Sequence, residues 1–134
     1  MNIFMTPLMI WGAIVFLPLE SDAANVAVDE GHTVSLEIQF KDGKKKRIEK
    51  IPYKEKMTVL DVMNYAKKNK KIDFLFRGKK DTAFLTSIDG VKNQGSRGDN
   101  WIFRVNKKLG RKSFGITQLG ADDEVTWTFG KYKP

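Results

Sequence analysis

The sequence predicts an α+β fold, in which one helix packs on one face of a mixed sheet of about five strands. Three observations lead to this prediction. Several short segments alternate apolar and polar residues, as half-buried strands do. A single segment has apolar residues at helical spacing. The order along the chain is a hairpin, the helix and then three or four further strands.

The predicted hairpin opens the folded part of the chain. Residues 33–40, TVSLEIQF, alternate cleanly and predict the first strand. Asp42-Gly43 predicts a type I′ turn, because this pair supplies the positive φ that such a turn needs. Residues 45–51, KKRIEKI, predict the returning strand. Its few apolar residues and its lysines are typical of a sheet edge protected from further pairing.

The predicted helix spans residues 57–71, MTVLDVMNYAKKNKK. Thr58 is the predicted N-cap, and Asp61 stands three residues later, as in a capping box. Lysines at the carboxyl end favour the helix because its dipole is negative there. The apolar residues that recur at helical spacing are Val59, Leu60, Met63 and Ala66.

The second half of the chain is rich in predicted strands, at residues 72–76, 83–88, 101–105 and 124–129. In the last two, large aromatic residues recur at every second position, which predicts core packing. These residues are Trp101, Phe103, Trp127 and Phe129. Two strands that lead into a helix on one face of a mixed sheet form a β-grasp-like arrangement.

The amino terminus predicts export. Residues 3–19 carry no charge, and Ser21-Asp22-Ala23 has the small-x-small form of a signal-peptidase site. We expect a signal peptide at 1–23, a leader at 24–32 and one domain at 33–134. An uncleaved anchor is the alternative, although the run is shorter than a membrane span requires. Both interpretations place the domain outside the cytoplasm, secreted, periplasmic or at the cell surface.

The chain is basic, with 24 Lys and Arg against 16 Asp and Glu, a formal charge of +8. Cleavage after Ala23 removes two acids and no base, which raises the charge to +10. Such a charge favours anionic partners, although a solvated surface explains it as well. Nucleic acid is not expected, because the aromatic residues alternate within strands and do not interleave with arginine.

Residues that could carry out catalysis or bind a metal ion are scarce. Without cysteine, disulfides and thiolate chemistry are excluded. The single histidine, His32, stands before the first strand, and no serine has a base at a suggestive spacing. Asp122-Asp123-Glu124 fits a turn and lacks the spacing of a calcium loop. We therefore expect a protein that is not an enzyme and has no metal site.

Residues 97–99, Arg-Gly-Asp, spell an adhesion signal of extracellular proteins. Gly95 and Gly98 suit a turn, and Asp99-Asn100 are good turn residues before the strand at Trp101. A turn is therefore the preferred interpretation, with adhesion as the alternative.

The second half of the chain contains an ordered set of motifs. The motifs are Ile88-Asp89-Gly90, Trp101-Ile102-Phe103-Arg104-Val105-Asn106, Gly115-Ile116 and Asp122-Asp123-Glu124-Val125-Thr126-Trp127. This set resembles the transcobalamin-like C-terminal domain family, small β-grasp modules catalogued in bacteria as a domain of unknown function. Upstream, SLEIQF at 35–40 resembles the opening strand of the family, and MTVLDVMNYA at 57–66 resembles the start of its helix.

The resemblance implies a ligand-binding loop. In the animal cobalamin carriers of the family, this module closes over one face of the corrinoid while a larger helical domain holds the other. The contacting segment corresponds to residues 106–116. The candidate ligand-binding residues are Asn106, Lys107, Lys108, Leu109, Gly110, Arg111, Phe114, Gly115 and Ile116. Glycines permit close backbone approach, and Leu109 and Phe114 offer apolar contact.

Three functions stay open at this point. The first is an exported, non-catalytic module that binds a corrinoid-like small molecule, with a separate chain supplying the helical half. The second is a basic module that binds a protein or an anionic polymer, since Lys107, Lys108, Arg111 and Lys112 place four cations in the loop. The third is a structural domain in which the loop only connects two strands.

Overall fold

The computed structural model describes residues 31–133. The predicted signal peptide and most of the predicted leader lie outside this range. The elements, in chain order, are β1 Thr33–Gln39, β2 Lys45–Pro52, α1 Val59–Lys68, β3 Phe74–Arg77, a short 3-10 helix at Lys80–Thr82, β4 Phe84–Ile88, β5 Val91–Lys92, β6 Asn100–Val105, β7 Lys108–Leu109 and β8 Glu124–Gly130.

The main sheet confirms the predicted α+β fold. Its five strands are ordered β2-β1-β8-β6-β7, and the central pair β1 and β8 is parallel while the other pairs are antiparallel. β2 lies at the edge, as its lysines predicted. A second sheet, ordered β3-β4-β5, was not predicted as a separate unit. β5 and β7 have two residues each, too few to show any alternation in the sequence.

One face of the main sheet forms the core with α1. Every second residue of β1 and β8 is buried, because successive side chains of a strand point to opposite faces. The core residues of these two strands and the helix are Val34, Leu36, Ile38, Val59, Val62, Met63, Ala66, Val125, Trp127 and Phe129. Each fully buried aliphatic side chain contributes about 1.5–3 kcal/mol.

The helix confirms the predicted cap and corrects the predicted ends. Thr58 Oγ1 accepts a hydrogen bond from the Asp61 N–H at 3.2 Å, and Asp61 Oδ2 accepts from the Thr58 N–H at 2.8 Å. The helix ends at Lys68, three residues before the predicted end, and Lys70 has a positive φ of 58°. Leu60 is only partly buried, and Val62 is buried instead.

The β1–β2 hairpin forms as predicted, but its turn is not type I′. The Gly43 N–H donates to the Phe40 carbonyl at 3.2 Å, and the Phe40 N–H donates to the Lys44 carbonyl at 2.9 Å. Only Gly43 has a positive φ, of 92°, whereas a type I′ turn needs two such residues. The loop is therefore a longer turn that ends in a left-handed glycine.

Candidate ligand groove

The first half of the predicted ligand-binding loop is a β-hairpin. Val105 pairs with Lys108, so Asn106 and Lys107 form a two-residue turn. Their φ angles of 51° and 71° are those of a type I′ turn. The Asn106 N–H donates to the Glu124 carbonyl at 2.8 Å, and Asn106 Oδ1 accepts from the Glu124 N–H at 2.9 Å. These bonds fix the hairpin tip to the start of β8.

The segment after the hairpin, residues 110–118, packs on the core. The Gly110 N–H donates to the Phe103 carbonyl at 3.0 Å, and a Cβ at Gly110 would lie 2.2 Å from the Phe103 ring. Ser113 Oγ lies 2.8 Å and 2.7 Å from the carbonyl oxygens of Lys80 and Ala83. The segment is therefore held from below by β6 and by the residues that precede β4.

A groove of about 770 Å³ opens between the hairpin and this segment, and we call it the ligand groove. It is lined by Val105, Asn106, Lys108, Leu109, Gly110, Arg111, Lys112, Ile116, Thr117 and Gln118. Six of the nine candidate residues line it, namely Asn106, Lys108, Leu109, Gly110, Arg111 and Ile116. The other three are Lys107, Phe114 and Gly115.

Phe114 and Gly115 require a correction, because both face inward. Phe114 is 2% exposed, and its ring packs edge-on against Trp127 at 5.5 Å and Phe76 at 5.8 Å. A Cβ at Gly115 would lie 2.5 Å from the Lys80 carbonyl oxygen. Residues 114–116 form a turn. Phe114 and Gly115 therefore support the groove from beneath and do not line it.

Three lining residues had no functional signal in the sequence. Val105 continues the alternation of β6, a pattern that indicates core packing. Thr117 and Gln118 belong to no motif; Gln118 pairs with Thr58 in an isolated β-bridge that brings it beside the helix. Only this long-range pairing could identify them.

The groove carries uncompensated positive charge. Lys108, Arg111 and Lys112 line it, whereas no carboxylate does. The ion pairs within residues 31–133 lie elsewhere, such as Lys46 with Asp89 at 2.6 Å. Arg47, which lies outside the groove, is compensated, since hydrogen bonds to Glu49 and Glu124 raise the pKa of its guanidinium.

The Arg-Gly-Asp tripeptide lies in a turn, and its acid is not at the surface. Asp99 is 4% exposed, and its carboxylate pairs with Lys41. The Asn100 side chain closes the turn, because its Oδ1 accepts from the Gly95 N–H at 3.0 Å. The buried carboxylate cannot reach a receptor, which favours the turn over the adhesive interpretation.

His32 lies outside the ligand groove, with Nδ1 3.8 Å from Asp122 Oδ2. Within residues 31–133, no three His, Asp or Glu side chains are grouped to hold a metal ion. In the same range, no helix has the length and apolar character to cross a membrane. The predictions of a cleaved signal peptide and of no stable membrane span depend on residues 3–19. These residues lie outside the range that the structure describes.

Solved structures with a similar fold include a bacterial protein and haptocorrin. A protein from Ruminococcus gnavus ATCC 29149, described as a candidate metal-binding protein, is 14% identical with a TM-score of 0.56. The match covers 75% of this chain and 99% of that one. Haptocorrin in complex with Cbi is 16% identical with a TM-score of 0.58, over 73% of this chain and 25% of that one. At these identities the likeness concerns the fold alone.

The sequence itself matches one family. No protein of curated function is similar to it. Residues 57–131 match the family described as Domain of unknown function (DUF4430). Together with the fold shared with haptocorrin, this match confirms the resemblance to transcobalamin-like modules of unknown function. The chain belongs to the DUF4430 family.

Proposed function

We propose that the chain is an exported, non-catalytic module that binds a small molecule in the ligand groove. The observation that carries the proposal is the groove itself. It is formed by the segment that corresponds to the corrinoid contact of the cobalamin carriers, and its volume of about 770 Å³ is typical of small-molecule sites. The scarcity of nucleophile and base pairs in the sequence supports a role in binding and not in catalysis.

A corrinoid-like ligand suits the lining. Val105, Leu109 and Ile116 offer apolar contact to the face of a macrocycle, and the exposed amide of Gln118 can bond polar groups at its edge. The lining has no His, Asp or Glu, so the module would hold the ligand by contact and hydrogen bonds without coordinating a central metal.

A second protein would complete the site. The groove is open, so a flat ligand that lies in it keeps one face in water. The chain matches only a quarter of the haptocorrin chain, whose remainder has no counterpart in these residues. We propose that a separate helical protein covers the second face, which makes binding by this module alone weak.

The uncompensated cations favour a second candidate, an anionic ligand or polymer. Lys108, Arg111 and Lys112 lie beside apolar side chains, so an anion that also carries an apolar group would satisfy both. Salt separates the two candidates. Binding driven by exposed cations collapses at high ionic strength, whereas apolar capture does not.

The test is a titration of the purified protein with cobalamin, followed by absorbance and calorimetry at low and high salt. We expect weak but saturable binding that resists salt and is abolished by Leu109→Asp. Leu75→Asp is the matched control, because Leu75 is exposed on another sheet. No binding at either salt concentration, or equal loss with both variants, would refute the corrinoid proposal.

The anionic candidate has its own variant pair. Lys108→Gln removes a cation that lines the groove. Lys107→Gln is the matched control, because it removes the adjacent cation, which does not line the groove. Dextran sulfate serves as the polyanion probe. Salt-sensitive binding that only Lys108→Gln weakens would support this candidate. If neither probe binds and Leu109→Asp leaves function in the native host unchanged, the domain is structural.

Export is tested at the amino terminus. We expect protein recovered from the exported fraction of its native host to begin at residue 24, as mass spectrometry of the intact chain would report. Soluble cytosolic protein that retains Met1 would contradict the proposal.

A further inference from the structure

The outer face of the second sheet carries two large exposed apolar side chains. Leu75 and Phe84 are two of the five exposed large hydrophobic residues within residues 31–133, whereas the partly exposed Phe76 points inward and packs on Phe114. Leu75 is 55% exposed and Phe84 is 52% exposed. Both line a groove of about 430 Å³ that shares no residue with the ligand groove, and we call this surface the β3–β4 face.

The β3–β4 face differs from the solvated face of the main sheet. On β1 the outward residues are Ser35, Glu37 and Gln39, which are polar, as expected for a sheet face in water. On β3 and β4 the inward residues Phe74 and Leu85 are buried, yet the outward positions still carry large apolar side chains. Exposed apolar residues that cluster in this way mark an interaction surface.

The Asn93 and Thr86 side chains of the face are already hydrogen-bonded. Asn93 Oδ1 accepts from the Trp101 N–H at 2.8 Å, and Asn93 Nδ2 donates to the Leu85 carbonyl at 2.7 Å. Thr86 Oγ1 donates to the Leu75 carbonyl at 3.0 Å. A partner therefore meets mainly apolar and charged side chains here.

The charges of the face are positive only. Arg77 and Lys92 line the groove, no carboxylate does, and neither cation has an ion pair within residues 31–133. The Arg77 guanidinium lies 5.6 Å from the centre of the Phe84 ring. Stacking on the ring orients the planar guanidinium, which then presents two parallel donors to a carboxylate.

We propose that the β3–β4 face docks an acidic segment of a partner protein. A large apolar side chain of the partner enters between Leu75 and Phe84, and carboxylates beside it pair with Arg77 and Lys92. A second copy of the chain is a poor occupant, because both copies carry a formal charge of +8 and bring the same cations to the contact. This proposal does not depend on a ligand in the ligand groove.

The test uses two short synthetic peptides, one with Glu on both sides of a central Phe and one with Lys in place of Glu. Amide chemical shifts of the purified protein are recorded by NMR at increasing peptide concentration. We expect the Glu peptide to shift amides of β3, β4 and β5 in a saturable way and the Lys peptide to shift none. Shifts confined to residues 106–118, or no shifts at all, would overturn the proposal.

Variants separate this contact from general charge attraction. Arg77→Gln is expected to lower the affinity for the Glu peptide about tenfold or more, since a hydrogen bond to a charged group is lost. Arg97→Gln, an exposed arginine outside the groove, is the matched control and is expected to leave the affinity unchanged.

Leu75→Ser tests the apolar part, and its exposure keeps the core intact. We expect it to weaken the Glu peptide while binding of dextran sulfate stays the same. Two outcomes would refute the proposal, because each would show a surface that binds any polyanion. The first is equal weakening of Glu-peptide binding by Arg77→Gln and Arg97→Gln. The second is dextran sulfate that displaces the peptide equally well from the parent and from Leu75→Ser.

Discussion

Replacing Gly110 with alanine tests how the ligand groove is built. The added Cβ would lie 2.2, 2.3 and 2.7 Å from three atoms of the Phe103 ring, all closer than non-bonded carbon atoms approach in folded proteins. The ring cannot simply move away, because Phe103 packs against Trp127 with ring centres 5.1 Å apart. Either the ring or the segment after β7 must shift, and both reshape the groove.

The magnitude follows from overpacking. Forcing an extra methyl group into a well-packed site costs about 1–3 kcal/mol. For a domain of this size, each kcal/mol lowers Tm by about 4 °C, so we expect Gly110→Ala to melt about 4–12 °C below the parent. Gly130→Ala is the matched control, since its Cβ would meet no atom within 4 Å and we expect Tm within about 2 °C of the parent.

Thermal unfolding followed by circular dichroism measures the stability difference, and the titrations proposed for the ligand groove measure the binding difference. A Gly110→Ala protein that melts with the parent would refute the packing argument. It would mean that the Phe103 ring accommodates a side chain at residue 110 without loss of stability.

Three further predictions concern the same surfaces. Phe114→Ala should cost about 3–5 kcal/mol in urea unfolding, because it removes a buried ring; lost binding at unchanged stability would instead make Phe114 a ligand contact. Lys107→Gly should stabilise the folded protein by about 0.5 kcal/mol. Relief of the left-handed backbone strain at this residue, about 1–2 kcal/mol, exceeds the entropy that glycine adds to the unfolded chain, about 0.4–1 kcal/mol. A lower urea midpoint would contradict this prediction. Asp99→Ala should cost about 1–3 kcal/mol by losing the charged hydrogen bond to Lys41, whereas Asp99→Glu should leave attachment of cells to the immobilised protein unchanged.

The predictability of the fold differs from element to element. β1, β6, β8 and α1 follow from local patterns, because alternation and helical spacing depend on neighbours a few residues apart. The cap at Thr58 is equally local. The turn after β1 was predicted with the wrong type, because Asp-Gly is compatible with more than one turn and the loop length selects among them.

The candidate site was predictable as a segment and not as a set of side chains. The resemblance placed it at residues 106–116, where the ligand groove lies. It could not tell that Phe114 and Gly115 face inward. Phe114 packs on Phe76 and Trp127, and Gly115 packs against Lys80 and Ala83, none of which is a neighbour in the chain. Thr117 and Gln118 joined the groove through a bridge to the helix.

By itself, the sequence determined the fold class, the edge position of β2, the helix cap and the basic charge, because each depends on composition or on residues close in the chain. The tertiary structure alone decided which loop side chains reach solvent, that Asp99 is buried against Lys41 58 residues away, and that Leu75 and Phe84 form an apolar face. These features arise from contacts between distant segments, and such contacts leave no local pattern in the sequence.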